Sequence, residues 1–207
     1  MNDEIRHILT GIGSDTEKDL IKTALTYLRT SQTAGRTAED TNVVSKEDEA
    51  RYLILWADEM ALWYLDLDPL TYIAEGAEQQ VYLNADGRHV LKINDTIFYE
   101  TWHDYLISLL IHNYLFPATA YELIGFYLKK NTLCAAVQQP FVMSTEPTDL
   151  TLLRLFLENN GFRHRKNNDF FHPEWGIILE DLHDENVLVN QGVFFVIDSA
   201  IYLINTQ

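Results

Sequence analysis

The sequence is poor in cysteine and has no long apolar run. Its single cysteine, Cys134, lies in the apolar segment LCAAV, so a disulfide framework and a zinc cage built on thiolates are both excluded. We expect this thiol to be buried in the core. No apolar stretch approaches the roughly 20 residues that a membrane-spanning helix needs. The acidic N-terminus lacks the basic and apolar regions of a signal peptide. These absences predict a cytoplasmic protein without a membrane partner.

Positive charge is also scarce. The chain has 15 lysines and arginines against 31 aspartates and glutamates, which gives a formal net charge of −16. This charge repels phosphate backbones and disfavours nucleic acid as a partner. Only the segment FRHRK, residues 162–166, concentrates cations, and a solvated turn is the alternative explanation for it. Because 47% of the residues are hydrophobic, we expect a folded core.

Two helices are predicted in the first third of the chain. Apolar residues recur at helical spacing over residues 15–29, with Ser14 or Asp15 as the N-cap. The polar stretch 30–46 follows and predicts a loop or connector. Residues 46–67 contain no glycine or proline and carry a broad apolar face, which predicts a long packed helix.

Strands are predicted from about residue 71. Residues 72–84 and 88–94 read as an antiparallel hairpin that turns at Ala85, Asp86 and Gly87. Thr96 is suited to cap a helix that continues to the stop at Pro117. The predicted order is therefore hairpin, helix and then a further hairpin.

The second hairpin is predicted around Asn131, between YELIGFYLKK and TLCAAVQQPFV. Residues 148–160 predict another helix, closed by Gly161. The segment GIILEDLHDENVLVNQGVFFVID then predicts a strand, a polar loop and a hairpin turning at residues 190–192.

This last hairpin predicts a cluster of oxygen ligands. Its short turn places the two outer ends, Asn186 and Asp198, side by side. A carboxylate and an amide oxygen suit Mg²⁺, and Asp181 can face the same space. Two carboxylates about 5 Å apart repel by about 1 to 3 kcal/mol at effective dielectric constants of about 20 to 80, and a dication removes that cost. The alternative is a polar surface loop whose acids are merely solvated.

The segments LEDLHDENVLV and FFVIDS resemble the catalytic loop and the metal-binding strand of the protein-kinase-like superfamily, especially its aminoglycoside- and choline-kinase branch. The resemblance implies that Asn186 and Asp198 hold Mg²⁺ and that Asp181 orients or deprotonates the accepting hydroxyl. Lys92, on the strand HVLKIN, then corresponds to the lysine that binds nucleotide phosphates. Its carboxylate partner is expected on the next helix, where Glu100 is preferred to Asp104.

The resemblance also implies nucleotide contacts. The segment GAEQQVY offers one glycine, Gly76, as a phosphate cradle, and Gln79 and Gln80 are either phosphate ligands or ordinary strand residues. The backbone of 138–141, which includes Gln139 and Phe141, occupies the place where this superfamily binds the adenine edge.

The sequence departs from conventional protein kinases in three places. Leu179 and Glu180 precede Asp181, Ser199 and Ala200 follow Asp198, and the sequence ends nine residues after Asp198. We therefore do not expect an activation segment or a peptide-binding platform in the usual place. The segments EGAEQQVYL, YETWHDYLISLLIHNYLFP and LEDLHDENVL are similar to the polyvalent-protein-type kinase domains of bacterial mobile elements.

Together these observations predict an α+β fold. A truncated protein-kinase-like domain over residues 71–207 would combine an antiparallel sheet and one helix with a reduced helical lobe, after a helical extension over 1–70. The expected activity is ATP- or GTP-dependent phosphate transfer to an unidentified hydroxyl, with the Mg-nucleotide held between Lys92 and Asn186/Asp198. The alternatives are a pseudokinase that binds nucleotide or a protein partner without turnover, and an acidic interaction protein whose motif is fortuitous.

The remaining histidines give weaker signals. His103 and His112 lie with Trp102 in one predicted helix, where packing explains them better than a metal site. His172, in FFHPEW, suggests a turn.

Overall fold

The computed structural model describes most of the chain. The predicted N-cap at Ser14 or Asp15 and most of the predicted connector lie outside the described part. None of the helices in the described part combines the length and apolarity that a bilayer crossing needs. The residues described are 5, 19–34 and 44–204.

The chain divides into two compact units. The first, here called the sheet unit, comprises Gly11–Ile107 and Tyr121–Phe141. The second, here called the loop unit, comprises Met1–Thr10, Ser108–Ala120 and Val142–Gln207. The predicted division into an extension and a kinase-like domain at residue 70 stays a prediction.

The sheet unit contains a five-stranded antiparallel sheet in the order β1-β2-β3-β5-β4. The expected turn at residues 85–87 is confirmed, because Gly87 has a positive φ and donates its N–H to Asn84. The expected single hairpin is instead a three-stranded meander, since a further reversal begins at Gly76, whose N–H bonds the carbonyl of Gln79. The strands are β1 (Thr71–Glu75), β2 (Gln79–Leu83), β3 (His89–Asn94), β4 (Glu122–Lys129) and β5 (Thr132–Pro140).

Side chains of the central strand β3 project alternately to the two faces of this sheet. Leu91 and Ile93 form an apolar cluster with Cys134 and Ala136, so the expected burial of the thiol is confirmed. This burial raises the pKa of the Cys134 thiol to about 11. Because side chains alternate along a strand, Lys92 projects from the opposite face, as predicted.

Within residues 19–34 and 44–70, two helices precede the sheet. Helix α1 (Leu20–Ala34) contains part of the first predicted helix, and α2 (Lys46–Met60) begins after the N-cap Ser45. The prediction that α2 continues to residue 67 is wrong. Ala61 adopts a left-handed conformation that ends the helix, and Leu62 then bonds Phe126 on β4.

The third helix, α3 (Trp102–Leu115), begins later than predicted. Thr96 does not cap it, because Thr96 has a positive φ and its carbonyl accepts the ammonium of Lys46. The N-cap is Thr101, whose hydroxyl accepts the N–H of Asp104. The carboxylate of Glu49 on α2 accepts the N–H groups of the first two helical residues. These contacts fix the start of the helix at residue 102.

The loop unit contains more strand than the predicted, mainly helical lobe. Its helix α4 (Leu150–Asn159) is capped by Asp149 and is followed by Gly161 with a φ of 88°, as expected. The predicted hairpin is present with Gln191 and Gly192 at its turn. The strands are β6 (Arg163–His164), β7 (Phe170–His172), β8 (Ile177–Glu180), β9 (Val187–Asn190), β10 (Val193–Val196) and β11 (Ala200–Leu203), arranged as β11-β8-β7-β6 and β10-β9.

Two histidines of the described residues, His112 and His172, are buried. His112 is buried, as predicted, and its ring contacts Phe116. The turn expected at His172 is confirmed, because its carbonyl accepts the N–H of Gly176 and its Nδ1 accepts the N–H of Trp175. His172 also ends β7 and stacks on Trp175, with ring centroids 3.9 Å apart. Burial lowers the pKa of His172.

Candidate active site

The β9–β10 hairpin brings Asn186 and Asp198 together. Val187 and Val196 form its last register pair, and the chain continues from that pair in both directions. The carbonyl of Asn186 accepts the N–H groups of Ile197 at 2.9 Å and of Asp198 at 3.3 Å. The juxtaposition inferred from the short turn is therefore present in the loop unit.

Asp181 joins this pair through hydrogen bonds to Asn186. The amide nitrogen Nδ2 of Asn186 donates to the carbonyl of Asp181 at 2.9 Å and to its carboxylate Oδ2 at 3.2 Å. Asp181 has a φ of 68°, a left-handed conformation that aspartate tolerates better than most residues. Its own N–H bonds the carboxylate of Asp169 at 3.3 Å, which helps to hold this backbone conformation.

His183 is a second neighbour of the Asp181 carboxylate, and sequence reasoning assigned it no role. Its Nε2 lies 3.3 Å from Asp181 Oδ1. Its Nδ1 lies 3.2 Å from the backbone nitrogen of Glu185, an arrangement in which Nδ1 accepts. Its Nε2 also lies 3.2 Å from the amide nitrogen Nδ2 of Asn186, so this ring nitrogen faces both neighbours. Asn186 thus donates a hydrogen bond to Oδ2 of Asp181, and the ring of His183 lies within ion-pair distance of Oδ1.

The ligand chemistry of this loop suits a hard dication. Asn186 uses its amide nitrogen toward Asp181, so its amide oxygen is the atom suited to a cation, and Asp198 would add a carboxylate oxygen. Over the described ranges no group of three or more His, Cys, Asp or Glu side chains is placed to hold a metal. A cation here would therefore need phosphate or water oxygens to complete its coordination, as Mg²⁺ commonly does.

Lys92 lies in the sheet unit, in the middle of strand β3. Its side chain is buried, with the residue only 3% exposed. Its ammonium Nζ donates to the hydroxyl of Tyr121 at 3.1 Å and lies 5.1 Å from the centre of that ring. A buried cation requires such partners because desolvation of a charge is costly.

Glu100 does not occupy the position expected of it. It precedes the N-cap Thr101, so it lies before α3 rather than on it, and its side chain is exposed. The alternative partner, Asp104, accepts the hydroxyl of Thr101 at 2.7 Å. An ion pair of Glu100 with Lys92 stays a prediction.

Gly76 begins the turn between β1 and β2, where a phosphate cradle was predicted. A Cβ built on Gly76 would meet only the carbonyl oxygen of Gln79, at 3.9 Å, and its φ does not require glycine. The fold therefore does not explain the glycine, whereas close approach of a ligand to the backbone would. Gln79 begins β2 opposite Asn94, while Gln80 bonds the carboxylate of Glu75 and serves the sheet.

Part of the predicted adenine-binding segment is paired within the sheet. Gln139 is buried and lies opposite Val90, and the N–H of Phe141 bonds the carbonyl of Arg88 at 2.7 Å. Pro140 has no N–H to donate. The contact predicted for Phe141 is therefore restricted to its carbonyl or its partly exposed ring.

Two residues of the sheet unit were missed by sequence reasoning. Tyr121 directly precedes β4, and its proximity to Lys92 depends on a strand order that no local motif reports. Glu49 is buried, and an acid in the first turn of an amphipathic helix reads as a surface residue that favours the helix dipole. The three-residue spacing between Lys46 and Glu49 does not predict that both side chains bind the backbone at or just before the start of α3.

Comparison with known proteins identifies the family. A model of a serine/threonine/tyrosine kinase found in polyvalent proteins matches residues 46–205. The match includes α2, which the sequence resemblance did not. No curated protein matches the chain. With a matched region that covers well over half of the sequence and an α+β architecture that agrees with it, the chain belongs to the kinase family found in polyvalent proteins.

Proposed function

We propose that this protein transfers the terminal phosphate of ATP or GTP to a hydroxyl group in a Mg²⁺-dependent reaction. The observation that carries the proposal is the arrangement at the β9–β10 hairpin. Asn186 and Asp198 share one end of that hairpin, and Asp181 is hydrogen bonded to Asn186. Membership of a kinase family supports the same reaction class.

In this proposal Asn186 and Asp198 hold the metal through one amide oxygen and one carboxylate. When bound, Mg²⁺ neutralises charge on the phosphate oxygens. Lys92 binds those phosphates as a positive charge, and Gly76 lets the β1–β2 turn approach them closely. Gln79 and Phe141 are proposed as further nucleotide contacts, and the buried Gln139 as a support for them.

Asp181 is proposed to receive the accepting hydroxyl. Asn186 donates to Oδ2 of its carboxylate, and His183 Nε2 lies 3.3 Å from Oδ1. Each oxygen keeps a second lone pair that can accept a hydrogen bond from substrate. Asp181 can thereby orient the hydroxyl and take its proton as the phosphate is transferred.

Turnover tests this proposal directly. Purified protein would be incubated with Mg²⁺ and terminally radiolabelled ATP or GTP, and labelled phosphate released or incorporated would be measured. Asp181→Asn should lower the rate at least about a hundredfold, because it removes the proposed acceptor of the proton. Glu185→Gln, which neutralises an exposed acid in the same loop, should leave the rate unchanged. Equal rates for wild type and Asp181→Asn would refute the assigned role.

A second candidate function is nucleotide binding without turnover, as in a pseudokinase that engages a protein partner. It is favoured by Glu100, which is exposed and lies outside the helix that should present it to Lys92. This candidate predicts a Mg-ATP-dependent rise in melting temperature with no phosphate transfer above that of Asp181→Asn. The origin in a bacterial mobile element and the cytoplasmic location stay predictions.

A further inference from the structure

Tyr121 lies against the buried ammonium of Lys92. The hydroxyl accepts a hydrogen bond from Nζ at 3.1 Å, and the ring centre lies 5.1 Å from the same atom. We propose that Tyr121 is a positioning residue that holds Lys92 for nucleotide phosphates, in the role for which sequence reasoning nominated Glu100. The inference rests on the proposed function, because it assigns Lys92 to phosphate binding.

The register of the sheet explains how Tyr121 reaches Lys92. Lys92 on β3 is the register partner of Val137 on β5, and Val137 is in turn the partner of Leu123 on β4. Register partners project from the same face of a sheet. Tyr121 precedes Leu123 by two residues, so strand alternation directs it to that face as well. Tyr121 is therefore aimed at Lys92 by the backbone.

The chemistry of a tyrosine suits a buried ammonium. The hydroxyl satisfies one N–H of the cation, and the ring face attracts positive charge. Tyr121 is itself only 8% exposed, so its two side-chain torsions are restricted by packing and the ammonium is held in one place. Glu100, by contrast, is exposed and would have to be ordered before it could contribute.

The contact with Tyr121 also has an electrostatic consequence. Tyr121 is neutral, so this contact orients the ammonium without adding negative charge of its own beside it.

A double-mutant cycle measured by Mg-ATP binding tests the inference. Tyr121→Leu removes the ring and the hydroxyl, and we expect it to weaken Mg-ATP affinity about tenfold or more, with Tyr121→Phe intermediate because it keeps the ring. In a Lys92→Met background Tyr121→Leu should cause no further loss, because Tyr121 acts through Lys92. Tyr127→Leu, at a β4 tyrosine that packs against the opposite apolar face, is the matched control and should retain wild-type affinity.

An NMR measurement reports the contact without nucleotide. The ε-methylene resonance of Lys92, assigned by its loss in Lys92→Met, should carry a ring-current shift that Tyr121→Leu removes and Tyr121→Phe keeps. Additive losses in the cycle, unchanged affinity in Tyr121→Leu, or no change of the Lys92 resonance would each overturn the inference. Failure of the wild type to bind Mg-ATP would instead overturn the proposed function, and the role of Tyr121 with it.

Discussion

The backbone N–H of Asp198 donates to the carbonyl oxygen of Asn186 over 3.3 Å. This bond, with the one from Ile197, closes the open end of the β9–β10 hairpin and brings the backbones of Asn186 and Asp198 together. The hairpin turn at Gln191 and Gly192 sets the register that ends in the pair of Val187 and Val196, directly before these two residues. A short turn thus determines which two residues meet at the open end of the hairpin.

Replacing Asn186 should separate metal binding from folding. Asn186→Ala removes the amide oxygen and the bonds to Asp181, so Mg-nucleotide affinity should fall about tenfold or more, as is usual for groups at a metal site. Asn190→Ala, at the other end of β9, loses a comparable amide bond to the carbonyl of Met143 and should retain affinity. Titration calorimetry with Mg-ATP makes the comparison, and equal losses in both variants would contradict the assignment.

Gly76→Ala should affect ligand binding alone. A Cβ at this position meets nothing closer than 3.9 Å, so the melting temperature should be unchanged or slightly higher. Nucleotide affinity should fall about three- to tenfold if phosphates approach the β1–β2 turn closely. Thermal melting and calorimetric titration of the same sample provide both readouts. Unchanged affinity would remove Gly76 from the proposed site.

Gly125→Ala, in contrast to Gly76→Ala, should lower the stability of the fold. Gly125 has a φ of 152° at a bulge in β4, and a Cβ there would lie 2.3 Å from the carbonyl oxygen of Leu62. The clash and the strained conformation should cost more than about 2 kcal/mol of unfolding free energy, which exceeds the gain of about 0.4 to 1 kcal/mol from a less flexible unfolded chain. Denaturant unfolding measures the difference, with Gly76→Ala as the control. A variant as stable as wild type would show that Leu62 does not pack there.

Glu49 should make stability depend on pH. Burial raises the pKa of Glu49 above its ordinary value of 4.5, and this outweighs the N–H groups of His103 and Trp102, which act in the other direction. The folded state therefore favours the protonated acid, and this contribution to stability is present below pH 4.5 and lost as the pH rises through the folded pKa.

Glu49→Gln mimics the protonated acid and does not titrate. The unfolding free energy of the variant relative to wild type should therefore rise between acidic and neutral pH, as measured by denaturant unfolding at each pH. A difference that is constant, or that falls with rising pH, would contradict the direction of the shift.

Features encoded by neighbouring residues were predictable, and those encoded by tertiary contacts were not. The turn at Gln191 and Gly192, the helix closure at Gly161 and the alternation around Lys92 follow from local conformational preferences, and the structure confirms them. The start of α3 was predicted too early because threonine is a residue type that favours the N-cap position. The tertiary contact that holds Thr96 outside the helix, a hydrogen bond from Lys46 to its carbonyl, comes from 50 positions earlier in the chain.

The candidate site shows the same limit. Asp181, Asn186 and Asp198 lie within one loop and hairpin, so their spacing reports their proximity. Lys92 lies on β3 and Tyr121 directly precedes β4, with β5 between these two strands, so only the strand order shows that the residues meet. Glu100 was chosen by position along the chain, and the later start of α3 leaves it outside the helix.

Mg-nucleotide binding by wild type and Asp198→Asn is the most direct test of this account. Titration calorimetry should show Mg²⁺-dependent binding of ATP or GTP to the wild type and to Glu185→Gln, which carries the same change of charge in the neighbouring loop. Asp198→Asn should lose at least about tenfold in affinity, because one ligand of the metal becomes neutral. Equal heats from wild type and Asp198→Asn, or no nucleotide binding by the wild type, would contradict the proposed metal site.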